Sequence, residues 1–280
     1  MFFPACYCNE KGPERKEEKP NYMYYLRYVK LLCGGQLAEE VDLQGEGGRT
    51  LWITDSAQKA RELRAEGEAV LPWLHEGNRE ENFSDFCYAC SDPADLDREY
   101  LEQIFRRLTG LPWDILETEH CIVRETTVED VDAFYRIYSD PSITRYMEAL
   151  FEDPEKEREY TRNYIDKIYA FYGFGLWTVL LKGEPGEIIG RAGISYREGF
   201  DDPELGYVIE KKHQQKGYAT EVCRAILEYG HRELEMKRIL AFVKPENQAS
   251  MKVCDKLSMG SFGSVEIKGE LFEMRCHEEK

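Results

Sequence analysis

The stretch from Glu204 to Glu221 constrains the fold more than any other. Apolar residues cluster from Leu205 to Ile209, as a strand requires. The chain then turns polar and restarts as a helix whose apolar positions are Ala219, Val222, Cys223, Ile226 and Leu227. Those positions recur at i, i+3, i+4, i+7 and i+8, one face of a helix. The elbow between strand and helix carries Gln214-x-x-Gly217-x-Ala219. A glycine and a small residue there leave backbone N–H groups unshielded by side chains. Together with the positive end of the helix dipole they form a seat for phosphate oxygens.

A length of 280 residues suits one large domain or two modest ones, and 42% hydrophobic residues suffice for packed cores. No apolar run approaches the roughly 20 residues of a membrane-spanning helix. The opening Met1-Phe2-Phe3-Pro4-Ala5-Cys6 lacks the basic and apolar regions of a signal peptide. A cytoplasmic protein with no membrane partner is the expectation. The net charge of −17 argues against a nucleic-acid partner, because phosphate contacts need clustered Lys and Arg. It permits steering of cationic amines, and it equally suits plain solubility.

Nine cysteines, an odd number without framework spacing, suit reduced thiols. Cys6-x-Cys8 and Cys87-x-x-Cys90 together offer four thiolates for zinc. Phe86 to Cys90 reads as a strand, however, in which residues three apart face opposite ways. No metal site is expected.

In order, residues 1 to 20 read as a mobile, charged lead-in. Asn21 to Leu32 carries helical spacing at Tyr24, Tyr25, Tyr28, Leu31 and Leu32, with Cys33-Gly34-Gly35 as the stop. Thr50 to Thr54, Ala69 to Trp73 and Phe86 to Cys90 read as strands alternating with helices over 55–67 and 95–108. That pattern predicts a small parallel α/β domain over residues 21 to 115. Asp55 sits where α/β folds keep catalytic groups, yet Asp55-Ser56 is also an ordinary helix cap. A degenerate phosphatase-like unit would rest on Asp55 alone.

Gly110-Leu111-Pro112-Trp113 marks a boundary, and a second domain spans 117 to 280. Cys121 to Thr126 is a strand, and Thr127-x-x-Asp130 caps a helix. Glu155 to Phe171 is a helix whose Tyr160, Tyr164, Ile168 and Phe171 form a core stripe. Leu176–Leu181 and Ile188–Tyr196 form a hairpin. Arg238–Val243 is a strand and Asn247–Leu257 a helix, before a last hairpin that turns at Lys268-Gly269.

This order resembles the GNAT acetyltransferase superfamily, and within it the RimJ/RimL-type branch of ribosomal-protein N-terminal acetyltransferases. Gln214-Gln215-Lys216-Gly217-Tyr218-Ala219 fits the family's pyrophosphate loop. Asn247-Gln248-Ala249-Ser250 fits its Asn-x-x-Ser helix, and Glu119 to Glu125 its first strand. The likeness covers roughly residues 117 to 278. It implies an α/β (α+β) class: a C-terminal fold with a mixed, mostly antiparallel sheet flanked by helices, beside the small N-terminal α/β domain.

The family also implies acetyl-CoA. Its pyrophosphate would rest on N–H groups of the loop Gln214, Gln215, Lys216, Gly217, Tyr218, Ala219 and Thr220. Its pantetheine arm would lie along Tyr207, Val208 and Ile209, in a splay between that strand and the next, hydrogen-bonded by Asn247 and with Ser250 nearby. Asn247 can cap its helix at the same time, because the cap uses one side-chain oxygen.

Acetyl transfer to an amine needs a proton acceptor, an oxyanion donor and a proton for the departing thiolate. Glu204 stands where relatives place the base, and it also reads as a solvated strand-start residue. The N–H of Val208 or Ile209 is the oxyanion donor. Many relatives have a tyrosine where this chain has Cys254. A thiol can donate a proton in principle, but the expectation is that Cys254 packs and the thiolate leaves assisted by water or a different tyrosine. The loop around Tyr146 and Glu148, with Trp177, is expected to meet the substrate. The implied function is direct acetylation of a primary amine: a protein N-terminus, polyamine, amino-acid derivative or aminoglycoside-like molecule. The alternative is a non-catalytic acetyl-CoA sensor whose first domain reads a partner.

Overall fold

Leu26–Cys33 is a strand, β1, where the spacing of tyrosines and leucines predicts a helix. The reason is position. β1 is flanked on both edges and buries residues on both faces, Leu26 and Val29 in one cluster and Leu32 in another. A strand covered on both faces shows no alternation, so its apolar residues mimic helical spacing. Gly34 and Gly35, at φ +57° and +78°, turn a two-residue hairpin into β2 (Gln36–Asp42). β2 is exposed along its whole length, so no hydrophobic pattern announces it. The structure is a computed structural model that describes residues 26–44, 48–183 and 186–279. The predicted lead-in and residues 21–25 of the predicted helix lie outside them. The described residues form two units, divided between Trp113 and Asp114.

In the first unit β3 (Arg49–Thr54), α1 (Ala57–Ala65), β4 (Ala69–Pro72) and α2 (Arg98–Leu108) complete a sheet of order β2-β1-β3-β4. β1, β3 and β4 are parallel, and β2 is an antiparallel edge. Phe86 to Cys90 is not a strand. It touches the sheet through a single bridge, Trp73 to Cys90. Asp55 is not the helix cap either. Ser56 caps α1, and Asp55 accepts the Gly34 N–H at 2.9 Å with His75 Nε2 3.6 Å away.

The second unit begins with β5 (Asp114–Glu117) and β6 (Cys121–Arg124). Asp130 then ties the first helix to the sheet. Its carboxylate takes Arg124 at 2.7 and 2.8 Å, the Thr127 N–H at 2.9 Å and the Thr178 hydroxyl at 2.8 Å. The predicted capping box is present. α3 (Val131–Tyr138), short α4 (Pro141–Thr144), α5 (Pro154–Tyr164), a π-turn over Ile165–Tyr169 and short α6 (Ala170–Tyr172) follow. The π-turn inserts an extra residue and rotates the apolar stripe. Tyr169 is therefore buried, whereas Phe171 is 68% and Tyr160 49% exposed, so neither serves as core.

β7 (Leu176–Leu181), β8 (Ile188–Ser195), β9 (Glu204–Ile209), α7 (Tyr218–Arg232), β10 (Arg238–Val243), α8 (Gln248–Lys256), β11 (Gly260–Ile267) and β12 (Glu270–Glu278) complete the chain. The sheet runs β5-β6-β7-β8-β9-β10-β12-β11, antiparallel except between β9 and β10. One face packs α7 and α8 through Val222, Cys223, Ile226, Leu227, Met251 and Cys254. The other packs α3 through Phe134 and Ile137 against Ile188 and Val208. Among the described residues no helix is long and apolar enough to cross a membrane.

Candidate active site

The one parallel neighbour pair in this sheet is also where the sheet opens. β9 and β10 are joined at Leu240 and Glu204, with the Leu240 N–H on the Pro203 carbonyl at 2.8 Å, and they diverge beyond. The gap is part of a cleft of about 1600 Å³, lined by β9, the elbow after it, α8 and the Tyr138–Phe151 segment. Hydrogen-bond alternation fixes which amides face the gap. Glu210 N–H donates to the Ile189 carbonyl at 2.7 Å, and Val208 pairs with Arg191 on β8. The Val208 N–H is therefore engaged with β8, while those of Tyr207 and Ile209 point into the opening. Of the two donors expected from the sequence, only the Ile209 N–H faces the gap, five residues along the strand from Glu204; the Tyr207 N–H faces it three residues from Glu204.

The elbow has the backbone the sequence asks for. Gln215 and Gly217 have φ of +62° and +96°, and Gly217 caps α7 without any side-chain hydrogen bond. The helical ladder starts with Glu221 N–H on the Gly217 carbonyl at 3.0 Å. The N–H groups of Tyr218, Ala219 and Thr220 thus have no acceptor within the helix. Gln214, Gln215, Gly217, Tyr218, Ala219 and Thr220 line the cleft, and Lys216 does not. The Gln214 side chain is occupied structurally, donating to the Ile209 carbonyl at 2.9 Å. The result is a positive, unshielded concavity for anionic oxygens.

Across the opening, Asn247 caps α8 through Oδ1, which accepts the Ser250 N–H at 3.1 Å and leaves its Nδ2 donors for the cleft. The Tyr207 hydroxyl lies 3.2 Å from Ser250 Oγ, a contact that sequence spacing does not reveal. Burial pushes the Tyr207 phenol well above its usual range. Cys254 also lines the cleft, and burial pushes its thiol up to about 11. A buried thiol of this kind packs as a small apolar group. Cys254→Ala should change kcat by less than about two-fold, since buried cysteine behaves as a small hydrophobe. A loss of ten-fold or more would make that thiol the proton donor.

Glu204 lies at the closed end of the splay with its side chain 14% exposed, so it is not a solvated strand-start residue. Arg197 grips it with both arms, at 2.6 and 3.0 Å, and this pairing raises the arginine pKa. Arg197 escaped sequence reasoning because it sits in a loop with no motif around it. Tyr146 reaches the carbonyl of Glu246 at 3.3 Å, bridging the cleft. Glu148 pairs with Lys268 at 3.3 Å in an exposed contact. Trp177 does not belong to the cleft. Its side chain is fully buried and meets Tyr229 edge-on at 5.7 Å on the α7 side of the sheet. Strand alternation turns it away from the substrate face, to which its neighbour Leu176 contributes.

Glu187, Glu210 and His213 form a cluster of metal-ligating types near the elbow. Lys212 and Arg136 already pair with its carboxylates, at 2.8 and 3.2 Å, which opposes a further cation. Of the zinc-type cysteine pairs, Cys87 is exposed and Cys90 buried, while Cys6 and Cys8 lie outside the described residues.

A mixed sheet splayed at its parallel pair, with an amide-rich elbow at the head of the following helix, defines an α/β fold with a cleft for an anionic, amide-bearing ligand. Residues 120–259, half of the chain, match the family model described as an acetyltransferase (GNAT) domain. The uncharacterized N-acetyltransferase YnaD of Bacillus subtilis is 32% identical over 145 residues, covering 51% of this chain and 81% of that protein. The ribosomal-protein-S5-alanine acetyltransferase of Vibrio fischeri shares the fold at 18% identity and a TM-score of 0.51, over 58% of this chain and 95% of its own. RimL, a ribosomal L7/L12 alpha-N-protein acetyltransferase in complex with coenzyme A, does so at 14% identity and 0.51, over 59% and 98%. The protein belongs to the GNAT acetyltransferase family.

Proposed function

We propose that the protein transfers an acetyl group from acetyl-CoA directly to a primary amine, on a protein N-terminus or a small molecule. The observation that carries this reading is the opening between β9 and β10 beside an elbow of unpaired amides. Acetyl-CoA fits these residues. The Gln215–Thr220 amides suit its pyrophosphate, and Asn247 Nδ2 with the open edge of β9 suits a chain of amides such as pantetheine. When bound it supplies an activated acyl thioester. Glu204 accepts the amine proton, directly or through a water. The Tyr207 N–H, which faces the gap three residues from Glu204, donates to the thioester carbonyl oxygen, and the Ile209 N–H further along serves the pantetheine arm. The Tyr207 and Ser250 hydroxyls, 3.2 Å apart, supply the proton that the departing thiolate takes up.

Calorimetry with acetyl-CoA, followed by thiol-release assays over a panel of amines, tests the proposal. Micromolar binding with turnover is expected; binding without turnover on any amine would return the non-catalytic sensor reading. A local test uses Gly217, whose φ of +96° few side chains tolerate and whose missing Cβ faces empty space. Gly217→Val should weaken acetyl-CoA binding about ten- to a hundred-fold, from backbone strain of ~1–3 kcal/mol and loss of the seat. An unchanged Kd would remove the elbow from the cofactor site.

A further inference from the structure

The acceptor side of the cleft holds a cation with no counter-ion. Arg191, on β8, is 8% exposed and lines the cleft. Its guanidinium carbon lies 4.4 Å from the centre of the Phe134 ring, and the guanidinium donates a hydrogen bond to the neutral Tyr138 hydroxyl. Its Nε is buried with no hydrogen-bond partner among the described residues. Among the described residues no carboxylate comes within ion-pair distance of it. Its neighbours differ: Arg124 is held by Asp130 at 2.7 Å, Arg136 by Glu210 at 3.2 Å and Arg197 by Glu204 at 2.6 Å. Glu157, the buried acid that lines the same cleft, accepts the Phe151 N–H at 3.1 Å instead. An arginine keeps its charge at any physiological pH, and a buried unpaired charge is costly. Such a group persists where a ligand completes it.

We infer that Arg191 receives a carboxylate of the acceptor, so that the substrate is an amine bearing an anionic group at a distance. This rests on the acetyl-transfer reading of the same cleft. The ladder supplies the spacing. Arg191 pairs with Val208 and Ser195 with Glu204, four residues further along, so the two positions stand ~13 Å apart along the strands. Between them Gly193 faces Gly206; a Cβ at Gly206 would meet nothing within 4 Å, so the floor is open over β9, whereas at Gly193 the Gly175 carbonyl covers β8. An amine at Glu204 and a carboxylate at Arg191 demand an extended molecule. A short acidic peptide or N-terminal segment fits. Polyamines or aminoglycoside-like polycations would set like charge against Arg191.

The test compares the amidated peptides Gly-Gly-Glu and Gly-Gly-Gln, by thiol release with acetyl-CoA and by calorimetry on CoA-loaded protein. The acidic peptide should show at least ten-fold higher kcat/KM and tighter binding, as charge-assisted pairs are the strong ones. Arg191→Met should erase that preference, and Arg191→Lys should retain part of it, both with acetyl-CoA affinity unchanged as the check on folding. Equal binding of the two peptides, or a preference that survives in Arg191→Met, would overturn the carboxylate site. Selective binding without turnover on any amine would instead sink the reading of the reaction and leave the site standing.

Discussion

Glu204→Gln should lower kcat by about a hundred-fold or more, the range spanned by general-base groups, while the Kd for acetyl-CoA changes by less than about two-fold. The two effects separate because Glu204 stands at the closed end of the splay, whereas the elbow amides lie beyond its open end. The amide keeps the shape and one acceptor oxygen but cannot take a proton. Arg197 would lose one arm of its fork, so Arg197→Gln is the control. If that control alone reproduces the loss, Glu204 acts by orientation and the base lies elsewhere. If Glu204→Gln retains wild-type kcat, the carboxylate has no part in the proton transfer.

Trp177→Ala should destabilise the second unit by about 3–5 kcal/mol, the usual cost of emptying a fully buried aromatic site. Its melting temperature should fall by ~6–20 °C, given 2–4 °C per kcal/mol for a unit of this size. Below the transition, KM for the amine should stay within about two-fold of wild type. Trp177→Phe should recover most of the stability. Its indole N–H has no hydrogen-bond partner, so the smaller ring leaves no polar group behind. A raised KM with unchanged melting would restore Trp177 to the substrate side.

The contrast between these two residues shows how far spacing reaches. Glu204 was legible because its place follows from the strand-elbow-helix pattern, which depends only on local periodicity and one glycine. Trp177 was misread because a tryptophan on a strand reads alike from either face. The face is chosen by the pairing of β7 with β6 and β8, which are distant in sequence. The first unit repeats the lesson. β2 was invisible because it is polar and exposed, and β1 looked helical because it is covered on both faces. After α5, one extra residue in a π-turn moved Phe171 out of the core and Tyr169 into it.

By itself, then, the sequence determined the order of elements from Cys121 onward, the elbow at Gln214 to Ala219, the cap at Asn247 and the position of Glu204. These are local properties: periodicity, positive φ at glycine and side-chain capping act within a few residues. Only the tertiary structure decided that β9 and β10 part after a single pairing, that Ile209 and not Val208 turns its N–H into the gap, and that Arg197 holds Glu204. It alone left Arg191 buried with no carboxylate partner among the described residues. Such facts depend on which strands become neighbours, and long-range pairing leaves no periodic trace in a chain.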